Sequence, residues 1–157
     1  MQIRRQHKAV FLAALFLPCF LSAQAGKQVV TVASPQRITA KRGASITEPI
    51  QITVQSGYHV NSNKPRDEFL VPLKLRWDRG PLATTRVRYP VAQQVKVGDE
   101  TLDVFTGTFV LNTEFTVPAN ATPGIAMMQG TLHYQACDNV SCKRPASVAV
   151  QIPVTVQ

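Results

Sequence analysis

Cys137 and Cys142 stand four residues apart near the end of the chain, and Lys143 and Arg144 follow the second cysteine directly. The thiolate is the attacking form in thiol chemistry and nearby cations favour it, so this context admits reversible disulfide exchange. The spacer "DNVS" supplies Asp138, Asn139 and Ser141, residue types that favour a turn. A turn of this kind brings facing strand positions to about 4.5 to 5.5 Å between α-carbons, inside the span a disulfide requires. A structural clasp is the competing reading. Closing a six-residue loop gains only about 2 kcal/mol in the chain-entropy model, against about 4.7 for a loop of a hundred residues. A metal site would need further ligands, and His59 and His133 are the candidates. His133 lies four strand residues from Cys137, roughly 13 Å away, too far to share one ion or to form a cysteine-histidine couple. On the residues alone, exchange and clasp both stay open.

The remaining chemistry-bearing residues have plainer readings. Asp67 and Glu68 are adjacent acids in a polar connection, which suits a solvated turn better than acid-base catalysis. Trp77 continues the phase of Leu73 and Leu75 and reads as core, while Met127 and Met128 read as sheet filling. Asn120 and Asn139 begin Asn-x-Ser/Thr sequences, which matter only in a eukaryotic secretory pathway.

The amino terminus explains where such cysteines could work. Arg4, Arg5 and Lys8 precede a thirteen-residue apolar run, "AVFLAALFLPCFL", and "AQA" ends at Ala25. This is the pattern of an export signal cleaved after about Ala25, and the run is shorter than the roughly 20 residues a spanning helix needs. Domain organisation is therefore a signal over 1–25 and one domain over 26–157. Cys19 leaves with the signal, and loss of its three cations lowers the formal charge from +8 to +5. The cations are scattered rather than striped, which argues against a nucleic-acid partner. Two cysteines in an exported chain belong to an oxidising compartment.

Period-two alternation recurs along the mature chain, with no convincing helical period. It is clearest at the end, where Val148, Val150, Ile152, Val154 and Val156 share one face and Pro153, lacking a donor, suggests a sheet edge. Further strands are expected over 28–33, 49–55, 73–77, 85–89, 107–111 and 128–136, punctuated by Gly and Pro. Seven or so short strands predict an all-β fold, an immunoglobulin-like sandwich of two antiparallel sheets. The stretch 61–68 reads as an exposed connection, and Cys137 falls on the polar phase of its strand, away from the core.

"YQACDNVSCKRP" at 134–145, with "GYHVNSNKP" at 57–65, resembles the amino-terminal periplasmic domain of the DsbD thiol:disulfide interchange family, over most of the mature chain. The resemblance implies an immunoglobulin-like domain whose dithiol passes electrons in the periplasm, without metal or organic cofactor. It implies thioredoxin-like partners, one a reducing donor fed by a membrane electron transporter and the others disulfide-bearing acceptors, including those of cytochrome c biogenesis. Carried over by position, Cys142 forms the mixed disulfide and Cys137 resolves it. "DVFTG" matches the family's cap loop and nominates Asp103 and Phe105 as shields, with Lys143 and Arg144 as partner-facing or pKa-tuning residues. The chain departs from the pattern at Val104, where the cap can carry a second acid, and at His59 and Asn61, where the best-known member has aromatic residues. Because the sequence stops at Gln157, a stand-alone module with a separate donor is expected. The alternative is a non-enzymatic exported β-sandwich, a binding or support domain with a structural disulfide.

Overall fold

A computed structural model describes residues 28–157. The signal reading, its cleavage site and Cys19 lie outside the described residues. Within them the chain is all β, with twelve strands in three four-stranded sheets. In chain order the strands are β1 (Val30–Val32), β2 (Ile38–Ala40), β3 (Ser45–Val54), β4 (His59–Asn61), β5 (Lys74–Trp77) and β6 (Ala83–Arg88). They continue as β7 (Gln93–Val97), β8 (Glu100–Phe105), β9 (Thr108–Thr116), β10 (Gly124–Tyr134), β11 (Ala136–Cys137) and β12 (Ala146–Val156).

Two sheets make the sandwich, ordered β1-β3-β9-β6 and β2-β12-β10-β5. Each is built on one long antiparallel pair, β3 with β9 and β10 with β12. Alternation sends Ile50, Ile52, Leu111 and Phe115 inward from the first sheet, and Met128, Leu132, Val150, Ile152 and Val154 inward from the second. These side chains form the core between the layers. Trp77 on β5 bridges them: its ring meets Phe115 edge-on at 5.2 Å, and its Nε1 donates to Thr113 Oγ1 at 3.1 Å. That bond satisfies a hydroxyl with no solvent exposure, as a buried polar group requires.

The third sheet, β11-β4-β8-β7, was not anticipated, and it carries Cys137, with Cys142 bridged to it from outside the strands. Its strands are short and rich in Gln, His, Asn and Asp, so their alternation is weak. Pro153 also departs from expectation: β12 is flanked by β10 along its whole length and by β2, in parallel, at Val154–Val156. The proline sits immediately before that pairing begins, where its missing amide breaks no bond to β2.

Candidate redox site

The chain reaches the site by leaving one sheet for another. β10 ends at Tyr134, Gln135 stands between the sheets, and β11 pairs with β4 so that Ala136 faces Val60 and Cys137 faces His59. On β4 and β8, Val60 faces Phe105 and Asn61 faces Val104. Cross-strand partners share a face. Ala136, Val60 and Phe105 therefore point into the core, while Cys137, His59, Asn61 and Val104 point to the other side.

Cys137 and Cys142 are joined by a disulfide with an S–S length of 2.03 Å and α-carbons 3.9 Å apart. Asp138 shapes the connecting turn. Its Oδ1 accepts from the amides of Val140 at 2.8 Å and Ser141 at 2.7 Å, and its own amide donates to the Ser141 carbonyl at 2.9 Å. Those two amides hold the Asp138 carboxyl below its ordinary pKa against the opposing effect of desolvation, and Lys143 and His59 add smaller lowering contributions. Sequence reasoning placed Asp138 among turn formers but missed that it organises the whole loop.

The two sulfurs have different surroundings. Cys142 is exposed, whereas Cys137 is 3% exposed. The expected phase of Cys137 holds, since it faces away from Ala136, but the expected exposure does not. The outer face of the third sheet is itself covered. A cavity of about 200 Å³ lies there, walled by His59, Asn61, Leu70, Leu102 and the loop from Cys137 to Cys142. The segment 62–73 runs past it, and several bonds tie that segment down. Asn61 Nδ2 donates to the Val71 carbonyl at 3.0 Å, the Ser62 amide to the Asp103 carbonyl at 2.8 Å, and Arg66 Nε to Asp103 Oδ2 at 3.0 Å. Asn61 and Ser62 are buried, so the exposed part of this connection starts later than the sequence suggested.

The nominated shields part company. Asp103 engages Arg66, and through that ion pair it anchors the segment alongside the cavity. Phe105 is 2% exposed, packs in the core and stacks on Phe109 with ring centroids 4.9 Å apart. It lies on the opposite face from Cys137, so it does not cover the disulfide. Leu70, Val97, Leu102 and Val140 are the apolar residues that line the cavity with the two cysteines. "DVFTG" instead carries the chain from the third sheet into β9, with Gly107 taking φ of 59° at the turn.

Lys143 and Arg144 line a different groove, of about 720 Å³, together with Tyr58 and Tyr134. Lys143 Nζ stands 5.1 Å from the centroid of the Tyr58 ring, within range of a cation-π attraction. At the loop tip Val140 is 94% exposed, a feature that strand periodicity does not reveal. Behind the disulfide, His59 is buried and its Nε2 has no hydrogen-bond partner, as is also true of Asn61 Oδ1. Burial lowers the His59 pKa and the Asp138 carboxylate partly offsets this.

No family model matches the sequence, and no curated protein matches it. Solved structures are similar in fold. The N-terminal periplasmic domain of ScsB from Proteus mirabilis aligns with a TM-score of 0.54 at 13% identity, over 78% of this chain and 44% of that one. This chain thus spans less than half the length of that structure. The N-terminal domain of DsbD from Neisseria meningitidis, in the reduced form, aligns with a TM-score of 0.48 at 15% identity, over 73% and 82% of the two chains. A PapD-like domain of human CEP192 aligns with a TM-score of 0.44 at 9% identity, over 96% and 98%. At these identities the likeness is one of fold: the chain is an immunoglobulin-like sandwich similar to the N-terminal periplasmic domain of ScsB, and the DsbD N-terminal domain stands among its structural neighbours.

Proposed function

We propose that this chain is a thiol:disulfide exchange module of the periplasm, passing electron pairs through Cys137 and Cys142. The observation that carries the reading is the asymmetry of the disulfide: an exposed Cys142 bonded to a buried Cys137 across a tight loop. Exchange needs one sulfur that a partner can reach and a second that is held ready to complete the transfer. A donor thiolate attacks Cys142 Sγ, the bond between the cysteines breaks, and Cys137 leaves with the electron pair. A second donor thiol then releases the mixed disulfide, and the dithiol reduces an acceptor by the reverse sequence. The partners are thioredoxin-like proteins on the donor side and disulfide-bearing proteins on the acceptor side. Electrons reach the donor through a membrane transporter. The chemistry draws on no metal or organic cofactor.

In this reading the exposed Val140 meets the partner, and Lys143 and Arg144 present positive charge at the neighbouring groove. Asp103 acts by fixing Arg66 and the segment beside the cavity. The test is covalent capture in periplasmic extract after reduction. Cys137→Ala retains the exposed thiol and is expected to accumulate a mixed disulfide with a thioredoxin-like protein, whereas Cys142→Ala is not. A redox titration separates this from a structural bond: a potential below about −300 mV suits a clasp, and one near the thioredoxin range suits exchange. Absence of any captured partner together with a clasp-like potential would reject the proposal.

A further inference from the structure

His59 is the titratable side chain placed directly against the buried half of the disulfide. It faces Cys137 in the β4-β11 register, where antiparallel neighbours bring α-carbons to about 4.5 to 5.5 Å. Both residues are buried, and both line the 200 Å³ cavity. His59 Nε2 makes no hydrogen bond, and neither does Asn61 Oδ1 two residues along on the same face. A buried polar atom left without a partner costs stability, so the fold itself does not account for His59 Nε2. We infer that His59 accepts the proton of the Cys137 thiol when Cys137 closes the disulfide, a role that rests on the exchange reading above.

After Cys142 has attacked an acceptor disulfide, its Sγ is bonded to a partner sulfur and Cys137 remains a thiol. Neutral His59 takes the Cys137 proton, and the thiolate attacks Cys142 Sγ. A Cys137–Cys142 bond forms, the bond from Cys142 to the partner breaks, and the partner sulfur leaves as a thiolate with the electron pair. The imidazolium then returns its proton to that thiolate or to solvent. Two electrons have passed from the dithiol to the acceptor. Exposed Cys142 can lose its proton to water, whereas Cys137 is only 3% exposed and His59 offers its proton a nearer acceptor. An apolar setting suits this use, because burial keeps His59 neutral and so able to accept. The titratable groups that border the same cavities as His59 are Cys137, Asp138 and Cys142 at the disulfide, with Tyr58 and Lys96 along the adjoining groove. The carboxylate of Asp138 would stabilise the transient imidazolium.

The reduced protein is mixed with dithiobisnitrobenzoate in a stopped-flow instrument. The first nitrothiobenzoate is released by attack from Cys142, and the second by closure from Cys137. In the wild type the second release is expected to rise with pH through a midpoint below the ordinary imidazole value of about 6.5. In His59→Gln it is expected to slow about tenfold or more relative to the first at neutral pH, and to rise only towards the thiol range near pH 8.5. An unchanged ratio and profile would overturn the inference. A second measurement needs no variant: the His59 ring titration, followed by NMR in the wild type, should differ between the dithiol and the disulfide. Identical titrations in the two forms would also overturn it. The outcome is separable from the exchange reading, since a second release that depends on His59 can coexist with failure to capture any partner.

Discussion

Asp138 does more for the site than any residue except the cysteines themselves. One carboxylate oxygen accepts two amides and so sets the turn that holds the sulfurs in facing positions. Loosening the turn lowers the effective concentration of one thiol at the other and makes the disulfide easier to reduce. Asp138→Ala is therefore expected to move the reduction potential to a less negative value, while Asp138→Asn, whose amide oxygen can accept the same bonds, stays near the wild type. Equal shifts in both variants, measured by titration against a glutathione buffer, would show that charge rather than the turn is responsible. His59 makes a separate prediction about pH. Burial holds its pKa below the ordinary value, so the unfolded chain binds this proton more readily than the folded one. The associated stability is fully present above the unfolded value of about 6.5 and is lost as pH falls through the lower folded value. Thermal melts between about pH 7 and pH 5 should show the wild-type midpoint falling more steeply than that of His59→Gln. Parallel declines would mean that other groups set the acid sensitivity.

At the scale of elements, β10 links the core to the site, and its centre has no spare room. Gly130 lies opposite Trp77 in the register with β5. A β-carbon there would stand 2.6 Å from Trp77 Cε3 and 2.8 Å from the Arg76 carbonyl oxygen. Since the backbone of β5 is one of the obstacles, Gly130→Ala is expected to cost about 1 to 3 kcal/mol, seen as a lower urea midpoint. A neutral result would mean that β5 and the indole can shift together. The same strand shows what sequence could and could not supply. Long strands with one face in the core, such as β3, β9, β10 and β12, are legible because burial on one side enforces alternation. The third sheet is not, because its outer face is covered by the segment 62–73 and its short strands bury polar residues such as His59 and Asn61. Cys137 illustrates the limit. Its phase was readable from β10, but whether the polar-phase face meets water depends on a distant segment. Phe105 failed for a related reason, since the motif "DVFTG" gave a place in the chain and only the β4-β8 register showed which face it serves.

For the molecule as a whole, the question is whether the fold depends on the bond it is proposed to break. The core lies between the two large sheets, and several of its largest fully buried side chains, among them Phe115, Ile50, Ile52 and Leu111, come from β3 and β9, remote in sequence from the loop 138–141. The disulfide closes a loop of six residues, worth about 2 kcal/mol of unfolded-state entropy. Asp138 also shapes the turn independently of the sulfurs. A module that cycles must be folded in both redox states, and this distribution of contacts permits it. The chain with Cys137→Ala and Cys142→Ala together is accordingly expected to retain the wild-type far-ultraviolet dichroism and a cooperative melt, with a loss of stability no larger than about 2 kcal/mol. The reduced wild type should behave in the same way. The Trp77 fluorescence reports the sandwich itself, because the indole packs between the two layers against Phe115. Collapse of that signal on reduction would identify the disulfide as a clasp that the sandwich cannot do without, and would count against exchange more directly than any failure to find a partner.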